Sequence, residues 1–375
     1  MERIRLGAVG AGGRLRTILG ALYRVRDREY LGTSDHAGDA YAAHAGDPPD
    51  WLDPVTDLDP SVTALCDPDG EQLSRTAARC RDHGDDPATF ETFEAFRRAG
   101  AYDAVLVTTP NDSHVAPVEA LLADDTDLLV EKPLATTLPG HDRIAEAAAR
   151  SAATLYPAFN LRSSPYFARL RELVAEGAVG DPGMVSCQEV RAPFGDIDWM
   201  YEQERSGGTF LTKNCHDFDL FNWYVDSDPV RVAAAGGQHV LDRDTDVFDH
   251  GSVVVEYASG ALGTLELCMY APWDVRTRRY ELRGDAGLLR SPEAETTVDH
   301  YTREGRDRLR VATTGAHQGA DLVQAARFLR CVRGEVDPPA TVKDAKAAAA
   351  VGVDAERAAR SGEPVGITGD YDVRE

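Results

Sequence analysis

The chain is nearly without lysine: only Lys132, Lys213, Lys343 and Lys346 stand among its 40 basic residues. Arginine supplies the rest, and a guanidinium with a pKa above about 12 does not exchange protons near neutrality. An amine that gains and loses a proton must therefore be one of these four. Two of them lie in the most chemical segments, Glu131-Lys132-Pro133 and Thr212-Lys213-Asn214-Cys215-His216. Positive charge as a whole is scarce, with 63 Asp and Glu in 375 residues and a net charge of −23. That argues against nucleic acid and anionic membrane as partners, both being negative themselves. The acids are scattered (Asp35, Asp39, Asp47, Asp50, Asp53), so no acidic tail exists. Acid of this kind, with Arg in place of Lys, resembles the surfaces of proteins from salt-loving cells, where salt screens the self-repulsion. A GC-rich genome would give a similar bias.

Cysteine pairs are missing too. Cys66, Cys80, Cys187, Cys215, Cys268 and Cys331 are far apart and form no C-x-x-C. This fits a reduced cytoplasm and excludes a disulfide framework or a structural zinc site, and no metal is expected. No apolar run approaches the roughly 20 residues of a membrane-spanning helix. The first residues, Met1-Glu2-Arg3-Ile4-Arg5, run directly into a strand pattern, so no signal peptide is expected and the location read from the sequence is cytoplasmic.

What is present is an alternation of short buried strands and helices. Strands are expected at 4–9, 62–66, 104–108, 127–131 and 154–159, with a short edge element at 90–93. Helices are expected at 14–25, 71–83, 93–98, 116–123 and 141–152. Alternation of this length means a parallel sheet covered by helices on both faces. The stretch from Arg26 to Pro60 lacks periodicity and reads as an acidic insertion. After about residue 160 the strands lengthen and crowd together, at 184–192, 231–236, 252–257, 262–269 and 278–283. They predict an open, mostly antiparallel sheet. Helices at 322–332 and 343–361 close the chain. The expected fold is an N-terminal α/β Rossmann domain, residues 1–157, followed by an α+β domain, residues 158–375, whose last helix is free to pack back on the first domain.

Gly10-Ala11-Gly12-Gly13-Arg14-Leu15 follows the first strand and opens the first helix. Glycines there permit a tight turn and let the backbone approach a pyrophosphate, which the helix N-terminus stabilises. Leu15 stands where the fingerprint has its third glycine. Asp67 ends the second strand, where an acid binds a ribose 2′-hydroxyl and repels a 2′-phosphate. NAD(H) is therefore preferred, with NADP(H) left open. The acidic insertion makes the gap between the glycine loop and Asp67 unusually long. Thr109-Pro110-Asn111 with His114 ends the third main strand, and Glu131-Lys132-Pro133 ends the next at the same edge. Ligands of open α/β sheets bind beyond such strand ends. Pro133 restricts Lys132 to extended geometry.

These segments, together with Cys66-Asp67-Pro68, Asn160 and Arg162 with Pro165, Glu176-Gly177 to Gly180, and Gly207-Gly208 leading to His216-Asp217-Phe218-Asp219, cover most of the chain. In that order they resemble the glucose-fructose oxidoreductase, inositol dehydrogenase and MocA-like family (Gfo/Idh/MocA). The resemblance implies a nicotinamide-dependent oxidoreductase of sugars, cyclitols and related polyols. It also implies a C-terminal domain built on a large open sheet through which copies form a homo-oligomer, a dimer or tetramer. It implies that Gly10, Gly12, Gly13, Arg14, Asp67, Thr109, Pro110, Asn111, His114 and Glu131 serve the cofactor. Asn160, Arg162, Thr212 and His317 then face the substrate, Lys132 binds substrate and moves protons, and His216 is an active-site histidine. Family members commonly carry aspartate four residues before that histidine; here the position is Thr212, with Lys213 beside it.

Lys213, His216 and Leu220 lie at i, i+3 and i+7, so on a helix the lysine and the histidine share a face. Oxidation of a carbinol needs a group to take the hydroxyl proton as hydride leaves, and His216, Lys132 and Lys213 are the candidates. A dry pocket or a neighbouring cation would lower a lysine pKa toward working pH. Three functions are compatible with these residues. One is a dehydrogenase of a polyhydroxylated compound, another a redox-neutral NAD-dependent glycosidase, and the third a dinucleotide-sensing regulator without catalysis.

Overall fold

The structure, a computed structural model, describes residues 3–27, 58–195, 197–240, 245–272, 275, 277–291, 297–311 and 319–371. The core of the acidic insertion, residues 28–57, lies outside the described residues. The chain divides into two compact units. The first comprises Met1–Leu134, His141–Ser164 and Thr314–Val342; the second comprises Ala135–Gly140, Pro165–Thr313 and Lys343–Glu375.

The first unit is built on strands β1 (Arg3–Val9), β2 (Asp59–Cys66), β3 (Ala88–Phe90), β4 (Ala104–Val107), β5 (Asp127–Val130) and β6 (Leu155–Pro157). Between them run helices α1 (Gly13–Asp27), α2 (Gly70–Asp82), α3 (Phe93–Ala99), α4 (Val115–Leu122) and α5 (Leu138–Arg150). The strand order is β3-β2-β1-β4-β5-β6, and every pairing is parallel. This is the doubly wound order of dinucleotide-binding sheets. The strands are short and apolar because both faces are covered: all four residues of β4 are buried. Leu15, Ile18, Leu19 and Leu22 of α1 pack with Leu6, Leu65 and Leu106 of the sheet. Asp69 caps α2 by accepting the Glu71 and Gln72 amides.

Register sets the site. Val9 of β1 lies opposite both Cys66 of β2 and Val107 of β4, and Val107 lies opposite Val130 of β5. The four strands therefore end level, and the loops after them share one edge.

The second unit contains α6 (Pro165–Ala175), β7 (Pro182–Val190), α7 (Gln203–Ser206), α8 (Thr209–Thr212) and α9 (Cys215–Val225). Strands β8 (Pro229–Gly237), β9 (His250–Tyr257), β10 (Leu262–Cys268), β11 (Thr277–Gly284), β12 (Gly287–Arg290), β13 (Thr297–Thr302) and β14 (Arg306–Arg310) follow. Helix α10 (Ala320–Val332) belongs to the first unit and packs on α1, while α11 (Val342–Ser361) and β15 (Val365–Gly366) close the second. The nine-stranded order is β14-β13-β12-β11-β7-β10-β9-β8-β15, antiparallel except for β7 against β10. Along β9, Val253 and Val255 are buried while Ser252 and Val254 are exposed, the alternation of a sheet with one covered face. Helix α9 packs on β7 from the covered side.

The five strands expected in this half are present. The sequence reading did not extend to β12, β13, β14, β15 or α6. The Arg-Asp-Arg-Leu-Arg of β14 carries no apolar alternation because it is an edge strand, where charge discourages further pairing.

Candidate active site

In the first unit the glycine turn is shaped by close approach. Gly10 has φ +93°, and a Cβ there would stand 2.7 Å from the Thr108 carbonyl and the Thr109 nitrogen. Only glycine permits that contact between the loops after β1 and β4. Thr108 fastens them, its hydroxyl donating to the Gly10 carbonyl at 2.7 Å. At Gly12 a Cβ would meet nothing within 4 Å, so the space over the turn, at the start of α1, is open. Asp67 is beside the turn despite the long insertion: its Oδ2 accepts the Ala11 amide at 2.6 Å and its Oδ1 the Asp69 amide at 2.9 Å. A carboxylate has about four acceptor positions, so capacity for hydroxyl donors is left. The Thr109 hydroxyl is buried with no hydrogen-bond partner among the described residues. An open glycine face at a helix start and an orphaned hydroxyl beside it fit a dinucleotide.

Other residues expected at the cofactor are tied to one another. Arg14 donates to Glu131 at 2.5 Å and to Asp321 at 2.9 Å. Burial works against its charge, but the two carboxylates outweigh burial and hold the guanidinium protonated well above its ordinary value. Asn160 donates to the same Asp321 oxygen at 3.1 Å, and its own side-chain carbonyl is buried without a hydrogen bond among the described residues. Arg162 is buried and donates to the Pro339 carbonyl at 2.8 Å. His114 is fully buried between two carbonyls, Pro133 at 2.9 Å and Thr109 at 3.0 Å. Burial pushes its pKa down although both carbonyls favour the charged form. It works as a staple between the loops after β4 and β5. Asn111 is buried at the start of α4's approach turn, beside Pro110. Lys132 is half-buried, its amide donates to Glu131 at 3.3 Å, and the Lys132–Pro133 peptide is cis. His317 lies outside the described residues.

In the second unit the expectation of one helix carrying Lys213 and His216 does not hold. Helix α8 ends at Thr212, Lys213 is its C-terminal cap, and α9 begins at Cys215 after Asn214. The break has a local cause: the Asn214 amide group donates to Glu189 at 3.2 Å and Asp217 at 2.8 Å. Such side-chain bonds compete with helical continuity. The Lys213 amine is buried and stands 2.7 Å from Glu189 Oε1, which also meets Arg278 at 3.1 Å. Arg278 lies 3.3 Å from Asp217, and Asp217 further accepts the hydroxyl of Tyr280 at 2.5 Å. Glu189 and Arg278 face each other directly across β7 and β11, with Cys187 and Tyr280 the next pair along the same face.

The electrostatics of this net follow from its dryness. Burial is the largest influence on the Lys213 amine and Arg278 adds to it; Glu189 and Asp217 oppose them, and the pKa falls to about 8. Burial also works against the Glu189 carboxylate, but Arg278 and Lys213 outweigh it and keep it ionised. Thr212 is buried and His216 half-buried on either side of this lysine. The sequence reading passed over Glu189, Arg278 and Tyr280. A signal existed: Glu189 falls in the inward phase of β7 with Val185 and Cys187, a charged residue where an apolar one is due.

Two family profiles match this chain. The first, an oxidoreductase family with an NAD-binding Rossmann fold, matches residues 4–159. The second, the Gfo/Idh/MocA C-terminal domain, matches residues 167–290. The chain belongs to the Gfo/Idh/MocA family. Among curated relatives, this Gfo/Idh/MocA chain is 26% identical over 221 residues to the inositol 2-dehydrogenase of Rhizobium meliloti, covering 56% of the chain and 66% of the relative. It is 27% identical over 262 residues to the myo-inositol 2-dehydrogenase of Thermotoga maritima, covering 68% and 77%. The matched part falls to 44% of a relative's own length in another case. A levoglucosan dehydrogenase solved in complex with NADH has the same fold, with a TM-score of 0.80 at 16% identity, covering 97% of this chain and 99% of that one.

Proposed function

We propose that this chain is an NAD(H)-dependent dehydrogenase that moves hydride between a carbinol carbon of a sugar, inositol or related polyol and nicotinamide. The observation that carries the reading is the shared edge of the first sheet, where the open Gly10–Gly13 turn, Asp67, Thr109 and Lys132 follow four strands that end level. The cofactor, when bound, supplies the hydride acceptor. The Gly12 and Gly13 backbone at the start of α1 would cradle the pyrophosphate, and Thr109 would offer a hydroxyl that has no hydrogen bond among the described residues. Asp67 would take the ribose hydroxyls and disfavour a 2′-phosphate, which supports NAD(H) over NADP(H). Lys132 and His216 are the groups assigned to hold the substrate hydroxyl and accept its proton as the carbonyl forms. Asn160, Arg162 and Thr212 are assigned to the substrate side, and Lys213 to proton handling through an amine whose pKa lies near 8.

Inositol dehydrogenases among the relatives support the polyol class. Six free cysteines suit the reduced cytoplasm, where we place the protein. We assign self-association, as a dimer or tetramer, to the open face of the second sheet, where Ser252, Val254 and Glu266 stand exposed.

The test is purified protein with NAD+ or NADP+ against a panel of sugars, sugar acids and inositols, read as reduced nicotinamide. The expected result is turnover with NAD+, lowered by about 10²–10⁴ in Lys132→Ala and His216→Ala. Tight NAD+ binding without reduction by any panel member would point instead to the redox-neutral glycosidase or the sensor. Absence of dinucleotide binding would end the reading.

A further inference from the structure

Helix α11 meets the short helix α8 at two residues one turn apart. At Gly352 a Cβ would stand 2.9 Å from the Leu211 Cα, so the two backbones are in contact there. At Glu356 the contact is polar: Oε1 accepts the Phe210 amide at 2.8 Å. Glu356 is only 3% exposed, and its Oε2 has no hydrogen bond among the described residues. The turn before α8 is shaped around this carboxylate. Gly208 has φ +91°, and a Cβ there would fall 2.4 Å from Glu356 Cδ. From this anchor the backbone is bonded through α8 as far as the Asn214 amide, and α9 takes up from the Asn214 carbonyl. Thr212 donates to Gly208 at 2.9 Å, Lys213 to Thr209 at 2.9 Å, Asn214 to Phe210 at 3.1 Å and Phe218 to Asn214 at 2.9 Å. His216 lies in the first turn of α9, two residues beyond Asn214.

We propose that Glu356 is a positioning residue, whose carboxylate grips the amides opening α8 and thereby fixes the segment that carries Thr212, Lys213 and His216. The role rests on the reading of His216 as a group of the reaction. A carboxylate is a stronger acceptor than a carboxylic acid, and the start of a helical turn favours negative charge. Ionised Glu356 therefore holds the segment more firmly than protonated Glu356.

The groups around Glu356 decide when it ionises. Arg360, on the same helix, stands 3.7 Å away and spends its hydrogen bonds on Gln203 and the Asp246 carbonyl. Asp246 faces it from the segment before β9, and α8 contributes the Phe210 and Thr209 amides. Burial dominates and pushes the carboxyl up to about 7, against the pull of the Phe210 amide, Arg360 and the Thr209 amide. The grip therefore strengthens as pH rises through neutrality.

The test is amide hydrogen exchange of the peptide spanning Thr209–Lys213 across neutral pH, corrected for intrinsic rates, in the full chain and in Glu356→Gln. The glutamine keeps an acceptor for the Phe210 amide and carries no charge, so the fold is retained. Protection in the natural protein is expected to rise about tenfold through pH 7 and to stay level in Glu356→Gln. In turnover, Glu356→Gln is expected to lower kcat at pH 8 by about tenfold with KM for the dinucleotide unchanged, and to lose one ionisation near pH 7. Glu356→Asp, which keeps the charge on a shorter arm, should restore part of the pH response. Protection that does not change with pH in the natural protein, or that still changes in Glu356→Gln, overturns the proposal. The exchange needs no substrate, so a chain that turns over no polyol would sink the dehydrogenase reading and leave this comparison to be judged separately.

Discussion

In the first unit Arg14 meets Glu131 and Asp321 with 27% of its side chain still exposed; in the second, Arg278 meets Glu189 and Asp217 with 8% exposed, and Lys213 is packed beside it. The residue types are nearly the same, and the difference is water. A part-exposed guanidinium keeps some hydration, so losing a partner leaves a charge that solvent reaches. In the dry net no charge has that recourse, and each is tolerable only because the others are present. The same dryness makes Lys213 a weaker base, whereas Lys343 is exposed and Lys346 half-buried. Near-abolition of lysine thus still leaves an amine inside the dry net of the second unit, where burial makes its proton easier to remove.

That comparison can be broken at several points. The largest effect is expected from Glu189→Ala, which strands Lys213 and Arg278 without their shared carboxylate. Urea denaturation should show a loss of about 3–5 kcal/mol, and a loss below about 1 kcal/mol would mean that water enters the net.

The second effect is a pH dependence. The folded Lys213 pKa, about 8, lies below the ordinary value of 10.5. Between these values the unfolded chain holds the proton more tightly, so stability rises as pH climbs from about 8 to 10.5, and the penalty is fully present below 8. At about 1.4 kcal/mol per pKa unit this is on the order of 3 kcal/mol. Lys213→Met should remove the slope, as read by paired denaturation curves at pH 7 and 10; an unchanged slope would assign it to other groups.

The smallest effect is expected from Arg14→Ala, at about 1–2 kcal/mol, because Arg14 is itself part-exposed and the Lys132 amide and Asn160 still donate to Glu131 and Asp321. Its calorimetric affinity for NAD+ should fall less than tenfold if Arg14 serves the loops rather than the ligand. A hundredfold loss would return Arg14 to the cofactor.

The parts of this molecule legible in the sequence are those whose cause is local. The strand, glycine turn and helix at 4–25 are written in consecutive residues, and the place of Asp67 is legible because it follows a recognisable strand. The reach of Asp67 to Ala11 across the insertion follows from strand pairing, which an insertion lengthens without disturbing. The buried net was not legible, since Glu189, Lys213, Asp217 and Arg278 come together only through β7, β11 and α9. The helical spacing of Lys213 and His216 misled because Asn214 spends its side chain on Glu189 and Asp217 and interrupts the helix. His114 and Arg14 were expected at the cofactor, and the structure shows their polar atoms turned toward protein partners. Glu356 stood unread in an alanine-rich helix that also carries Asp344 and Asp354, where an acid looks like a solvated one.

The central claim is hydride transfer at the carboxyl edge of the first sheet, and isotopic labelling tests it most directly. The polyol identified by the panel would be deuterated at its carbinol carbon, incubated with protein and NAD+, and the nicotinamide analysed by mass spectrometry. The account predicts reduced dinucleotide carrying one deuterium, formed in step with the ketone or lactone. Product without reduced dinucleotide, or reduced dinucleotide without deuterium, would contradict it.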